Sequence, residues 1–140
     1  MKFDYSKIPL DESSTLFGSF LLRPVIKIEI GFGKEKIPYL GLIDSGADFS
    51  IFDAQIGELL GIEVNAGIPV IFSGAEISRG SVAYIHGVDM IIGTKKLKTK
   101  VAFSYNISDS GHGLLGQIGF FEHFIVKFYY SKKEVELKAK

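Results

Sequence analysis

The chain contains no cysteine and no tryptophan, only 4 prolines and 2 methionines, and its 16 basic residues are cancelled by 16 acidic ones. Without cysteine there is no disulfide framework, no thiolate zinc site and no cysteine nucleophile. Zero net charge removes the electrostatic attraction on which nucleic-acid or anionic-membrane binding depends, so neither is an expected partner. No apolar run continues far enough to span a bilayer, because each is broken by charged or turn residues. The opening Met1-Lys2-Phe3-Asp4-Tyr5 lacks the apolar core of a secretory leader, and the expected compartment is the cytoplasm.

What is present is apolar, aromatic and glycine-rich. A length of 140 residues, 46% of them hydrophobic, predicts one domain with ample material for a core. With 16 Gly, 12 Phe and 6 Tyr, the composition suits many short strands joined by tight turns. Val25-Ile26-Lys27-Ile28-Glu29-Ile30 alternates with period two, turns at Gly31–Lys34 and returns through Lys36–Ile43, which predicts a hairpin ending at Asp44. Asp53–Leu60 reads as a short helix, with Asp53 as N-cap and Gly61 as its stop. Further strands are expected at Ile68–Phe72, Ser81–Ile92, Lys96–Tyr105, Phe124–Tyr130 and Val135–Lys138, the last two joined by a turn at Ser131–Lys133. The N-terminal stretch predicts one strand and a loop at Asp11–Ser14. The expected fold class is all-β, a small barrel or sandwich with one or two short helices, and no internal repeat or linker interrupts it.

Leu42-Ile43-Asp44-Ser45-Gly46-Ala47-Asp48 is the segment with most chemistry in it: a strand ends on a carboxylate inside a Ser/Gly turn. Gly46 permits a sharp turn and can offer its N–H to the carboxylate, and Ser45 can lock the loop with its hydroxyl. One carboxylate is a poor catalyst. Two identical ones brought about 3 Å apart across a two-fold axis cannot both ionise, so they share a proton and present an acid and a base together.

The run Leu42 to Phe52 resembles the active-site strand and loop of the retropepsin-like aspartic proteases. Gly113-Leu114-Leu115-Gly116-Gln117-Ile118-Gly119-Phe120-Phe121 is similar to that family's apolar-apolar-glycine segment, which runs beside the catalytic loop into a short helix. Between them, Phe72–Gly80 stands where the family has its flap, a hairpin that closes over substrate. The resemblance spans roughly Val25 to Leu137. It implies a closed acid-protease-type β-barrel that dimerises as a single lobe, with residues 25–140 as the protease domain and residues 1–24 as an N-terminal strand and loop segment of the same domain. It further implies Asp44 as the catalytic residue, Ser45 and Gly46 as loop support, and Gly46, Ala47, Asp48, Ser73, Gly74 and Ala75 as substrate-binding residues. The implied partners are a second copy of the chain, in a homodimer, and a peptide or protein substrate, with no cofactor and no metal. The strands Phe124–Tyr130 and Val135–Leu137 are the expected dimer seam. Ala47 carries no hydroxyl to stabilise a charged pair, which predicts a mildly acidic to near-neutral pH optimum.

A second tripeptide, Asp109-Ser110-Gly111, follows polar Asn106-Ile107-Ser108, lacks the apolar lead-in, and is expected on a loop at the cleft rim. Phe72, Ile77, Tyr84 and Ile118 are read as core residues before pocket residues. His86, His112 and His123 have no paired metal-ligand spacing, Ser110 and His112 lack a nucleophile-elbow context, and the alternating lysines of Lys95–Lys100 suit a solvated strand face. Two other functional classes fit the pattern: a protease-like fold serving as a dimerisation or peptide-binding module with little turnover, and a small ligand-carrying barrel.

Overall fold

The computed structural model describes residues 1–74, 77–107 and 111–140, with backbone alone at 73–74 and 77–79. Among the described residues the fold is all-β, as composition and alternation predict, with one short α-helix. The alternating segment gives β4 (Val25–Phe32) and β5 (Glu35–Ile43), paired from Val25↔Leu42 to Phe32↔Glu35. Next come β6 (Ile51–Asp53) and α1 (Ala54–Leu59), the helix Oδ1-capped by Asp53, which accepts the Gln55 N–H at 2.9 Å. It ends where Gly61 takes φ +85, a conformation that glycine alone adopts without strain. The remaining large strands are β7 (Ile68–Gly74), β8 (Ile77–Ile92) and β9 (Lys95–Ser104), followed by the three-residue β10 (Gly113–Leu115).

These strands close on themselves. The order β4-β5-β10-β6-β9-β8 returns to β4 through the pairs Glu29↔Ile91, Ile30↔Met90 and Gly31↔Asp89, and β7 hangs from the first half of β8. Closure removes the free edges that a flat sheet would leave. Two parallel pairings, β5 with β10 and β6 with β9, sit beside otherwise antiparallel neighbours. They put Leu42, Leu114, Ile51 and Ala102 side by side. The barrel is filled by one large cluster around Phe52, Phe103, Met90, Leu115 and Phe120. A smaller cluster contains Val25, Leu42, Ile51, Ala102 and Leu114, with Ile8, Ala47, Phe49, Val70 and Phe72 packed against it.

The N-terminal expectation needs correction. Instead of one strand and a loop there are three strands, β1 (Lys2–Asp4), β2 (Ser6–Ser14) and β3 (Gly18–Arg23), and Asp11–Ser14 lie within β2. Among the described residues β2 and β3 pair with each other alone; Ser6–Asp11 do alternate between half-buried and exposed positions, but Pro9 inside the run and the polar, largely exposed Asp11–Ser14 stretch disguise the strand. β1 joins the C-terminal hairpin of β11 (Phe124–Tyr129) and β12 (Glu134–Ala139), and β12 lies between β1 and β11. Both edges of β12 are therefore occupied within the chain.

Candidate active site

β5 carries Asp44 to the mouth of the smaller cluster. Leu42 and Ile43 are buried, Asp44 is half-buried, and Ser45 and Gly46 are exposed. The strand end is held from both sides: Ile43 N–H donates to Pro24 O at 3.0 Å and Asp44 N–H donates to Leu115 O at 3.0 Å. β10 can approach that closely because its partner at the start of the register is Gly41, where an added Cβ would lie 2.7 Å from the Leu115 side chain. Beyond Asp44 the chain turns back on itself. Gly46 N–H donates to Asp44 Oδ1 at 2.9 Å and Ala47 N–H to Asp44 O at 3.2 Å, an Asx-type turn that fixes one carboxylate oxygen. Among the described residues the Asp44 carboxylate has Gly46 N–H as its hydrogen-bond partner.

A second loop runs beside the first. Gln117 N–H donates to Ala47 O at 2.8 Å, Ile118 N–H to Asp48 O at 2.9 Å, and Ser50 N–H to Ile118 O at 2.7 Å. Gly116 is enclosed here: a Cβ would stand 2.3 Å from Phe49 O and 2.6 Å from Ala47 O, so no other residue fits. Two side chains complete the lock. The Ser50 hydroxyl, fully buried, accepts the Gly116 N–H at 3.0 Å. Gln117 Nε2 donates to Ser45 O at 2.7 Å. Neither residue was singled out from sequence, although a serine between Phe49 and Ile51 in an apolar run is itself a sign of a buried hydrogen bond.

The structure brings Asp44, Ser45, Gly46, Ala47 and Asp48 together on this one loop, with Asp48 exposed and Ala47 half-buried against the smaller cluster. The tie at Ser45 runs through its carbonyl. Ser73 and Gly74 end β7, where Gly74 pairs with Ile77, and Ala75 lies outside the described residues, as do Glu76 and the second acidic tripeptide's Asp109 and Ser110. The β7–β8 hairpin is rooted beside the Asp44 loop, since Val70 and Phe72 pack on the same cluster as Ala47 and Phe49. Ile118 is 39% exposed, while Tyr84 packs on the large cluster.

The histidines have structural partners. His86 Nε2 lies 2.8 Å from Val64 O, His112 Nδ1 lies 3.0 Å from Gly113 O, and His123 Nε2 lies 3.0 Å from Thr99 Oγ1. Among the described residues no three His, Cys, Asp or Glu side chains gather as metal ligands. Lys96, Lys98 and Lys100 face solvent along β9, as their alternation predicts. A cavity of about 510 Å³ lies elsewhere, walled by Lys95, Ile125, Lys127, Glu136 and Lys138, and none of its residues belongs to the Asp44 loop. Among the described residues no helix is long and apolar enough to cross a membrane.

Fold and site together define an all-β barrel that presents one carboxylate on an interlocked double loop. No protein-family model matches the chain and no curated protein sequence does. Among solved structures it is similar to EIAV protease complexed with the inhibitor HBY-793, at 19% identity over 68% of this chain and 82% of that chain, with a TM-score of 0.48. A likeness of that degree carries no argument for activity.

Proposed function

We propose that two copies of this chain form an aspartic endopeptidase whose reacting pair is Asp44 and its symmetry mate. The observation that carries this reading is the Asp44 loop itself. It is a rigid strand end with one carboxylate oxygen fixed by Gly46 N–H, an exposed rim, and a second loop locked behind it. Such rigidity suits a group that must meet its own copy at about 3 Å, where the two carboxylates share one proton. The ionised carboxylate takes a proton from a water held between them, and the water oxygen bonds to the scissile carbonyl carbon. The protonated partner gives its proton to the carbonyl oxygen. From the tetrahedral adduct the proton gained by the base passes to the amide nitrogen, the C–N bond breaks, and one hydroxyl of the gem-diol returns its proton to the dyad as the C=O bond of the product acid forms.

In this reading Asp48 and the Gly46 and Ala47 backbone bind the peptide as an added strand, and the β7–β8 hairpin with Ser73, Gly74 and Ala75 covers it. No cofactor takes part. In this reading the cleft lies between copies. The compartment proposed is cytoplasmic and the pH optimum mildly acidic to near neutral.

Asp44→Asn removes the carboxyl that gives and takes the proton while keeping size and shape. Incubated with a diverse peptide library, the native chain is expected to cut and Asp44→Asn to lose at least about a thousandfold in kcat with its unfolding midpoint unchanged. Undiminished cutting by the variant contradicts the mechanism, and peptide binding without any cutting by the native chain makes it a binding module.

A further inference from the structure

The N-terminal hairpin is a ribbon with no sheet of its own to rest on. β2 and β3 pair with each other from Ser6↔Arg23 to Ser14↔Gly18, and among the described residues neither pairs with any other strand. An isolated two-stranded hairpin is marginal in water, so such a ribbon needs a surface to lie on. Its tip is ordered but bare. The Ser14 hydroxyl accepts the N–H groups of Leu16 and Phe17 at 3.1 and 3.3 Å, which fixes a turn that holds Leu16 78% exposed and Phe17 52% exposed. Phe20 adds to the same patch at 37% exposure, with Lys7 Nζ 4.6 Å above its ring.

The root of the ribbon stands at the candidate active site. Ser6 Oγ donates to Val25 O at 2.6 Å, and Pro24, the residue after β3, accepts the N–H of Ile43, which directly precedes Asp44. Ile8 packs on the smaller cluster together with Ala47 and Phe49 of the Asp44 loop. If two Asp44 side chains meet, the two-fold axis passes within about 2 Å of each, and whatever is rooted beside Asp44 starts beside the partner copy. Nine strand residues reach roughly 30 Å, so the ribbon either crosses onto the second copy or holds two large apolar side chains in water.

We propose that the β2–β3 hairpin is a clasping arm whose Leu16–Phe17 tip docks on the second copy of this chain. This rests on the two-copy reading of the active site. By symmetry two arms are exchanged, and each buries its apolar patch while it holds the Asp44 loops in register. The occupant is a second copy because the arm begins where only that copy can stand in the assembled site.

Full-length chain carrying Leu16→Asp and Phe17→Asp tests this, since both positions are exposed and the substitutions leave the barrel core untouched. Sedimentation equilibrium is expected to show the native chain at twice 15.4 kDa and the double variant with a dimer dissociation constant raised at least about tenfold. Cleavage by the variant should fall at low protein concentration and return at high concentration. Leu16→Cys, the only thiol in that chain, gives a second readout: an environment-sensitive dye there should report burial above the dimer constant and exposure below it. An unchanged dimer constant, a native chain that stays monomeric, or a raised KM without any change in association overturns the arm. A dimer that the tip variant weakens but that cuts no peptide upholds the arm while the endopeptidase reading fails. Normal cutting by an undisturbed variant dimer does the reverse.

Discussion

At Asp44 the chain solves a local problem with few atoms. A carboxylate at a strand end is ordinarily mobile, and here one oxygen is tied to Gly46 N–H within the turn while the backbone is gripped at Ile43 and Asp44. That much was legible in Leu-Ile-Asp-Ser-Gly, because an apolar approach and a Ser/Gly turn are local features. The two ties made by Gln117 and Ser50 were not, since their partners stand 72 and 66 residues away and only the packing of one loop against the other brings them together. Gln117→Ala leaves the Ser45 carbonyl untethered. A neutral hydrogen bond of this kind is worth about 0.5–1.5 kcal/mol, so kcat should fall by up to about tenfold with KM little changed. Gln117→Glu, which keeps length but loses the donor, should match it, and steady-state kinetics in which both variants equal the native chain contradict the tether. Gly116→Ala meets backbone oxygens instead of side chains that can move. It is expected to cost about 2–4 kcal/mol in urea denaturation, and a midpoint equal to the native one would show that the loops are not locked as described.

Among the elements, legibility followed burial. β4 alternates over Ile26–Ile30 because one face meets the core and the other is less covered, β5 follows from the turn before it and the apolar run that ends at Ile43, and both were read to within two residues. β10 is three residues buried on both faces, too short for any period to show. β2 and β3 lie outside the barrel; β2 alternates over Ser6–Asp11, where Ile8 reaches the smaller cluster, but Pro9 and the exposed polar run from Asp11 to Ser13 make it read as a loop. β5 also carries Tyr39, whose ring meets Phe52 edge-on at 5.4 Å and whose oxygen accepts the Asp53 N–H at 3.2 Å at the start of α1. Burial pushes its phenol up from 10.0 to about 12, with the Asp53 N–H opposing and the Asp53 charge assisting. The unfolded chain therefore releases this proton first. The stabilising contribution is fully present below about pH 10 and is lost as pH rises toward about 12, amounting to about 2–3 kcal/mol. Alkaline unfolding of the native chain should steepen over that window. Tyr39→Phe should flatten the slope, and identical pH dependence for the two proteins would contradict the assignment.

At the scale of the whole molecule, the barrel closes through β4 and β8, and its smaller cluster gathers the Asp44 loop, the root of the β7–β8 hairpin and Ile8 of the N-terminal ribbon. The chain thus builds a stiff, half-buried carboxylate and roots two hairpins on the cluster beside it. The balance of 16 basic and 16 acidic residues leaves no net charge to repel a second copy in the proposed enzyme. In the proposed enzyme each active site takes one Asp44 from each of two copies. Mixing native chain with Asp44→Asn at fixed total concentration, after exchange has come to equilibrium, tests this directly. If both carboxylates are required, activity falls as the square of the native fraction, to about one quarter in an equal mixture. A linear fall to about one half would mean that each chain works alone, and would contradict the shared dyad.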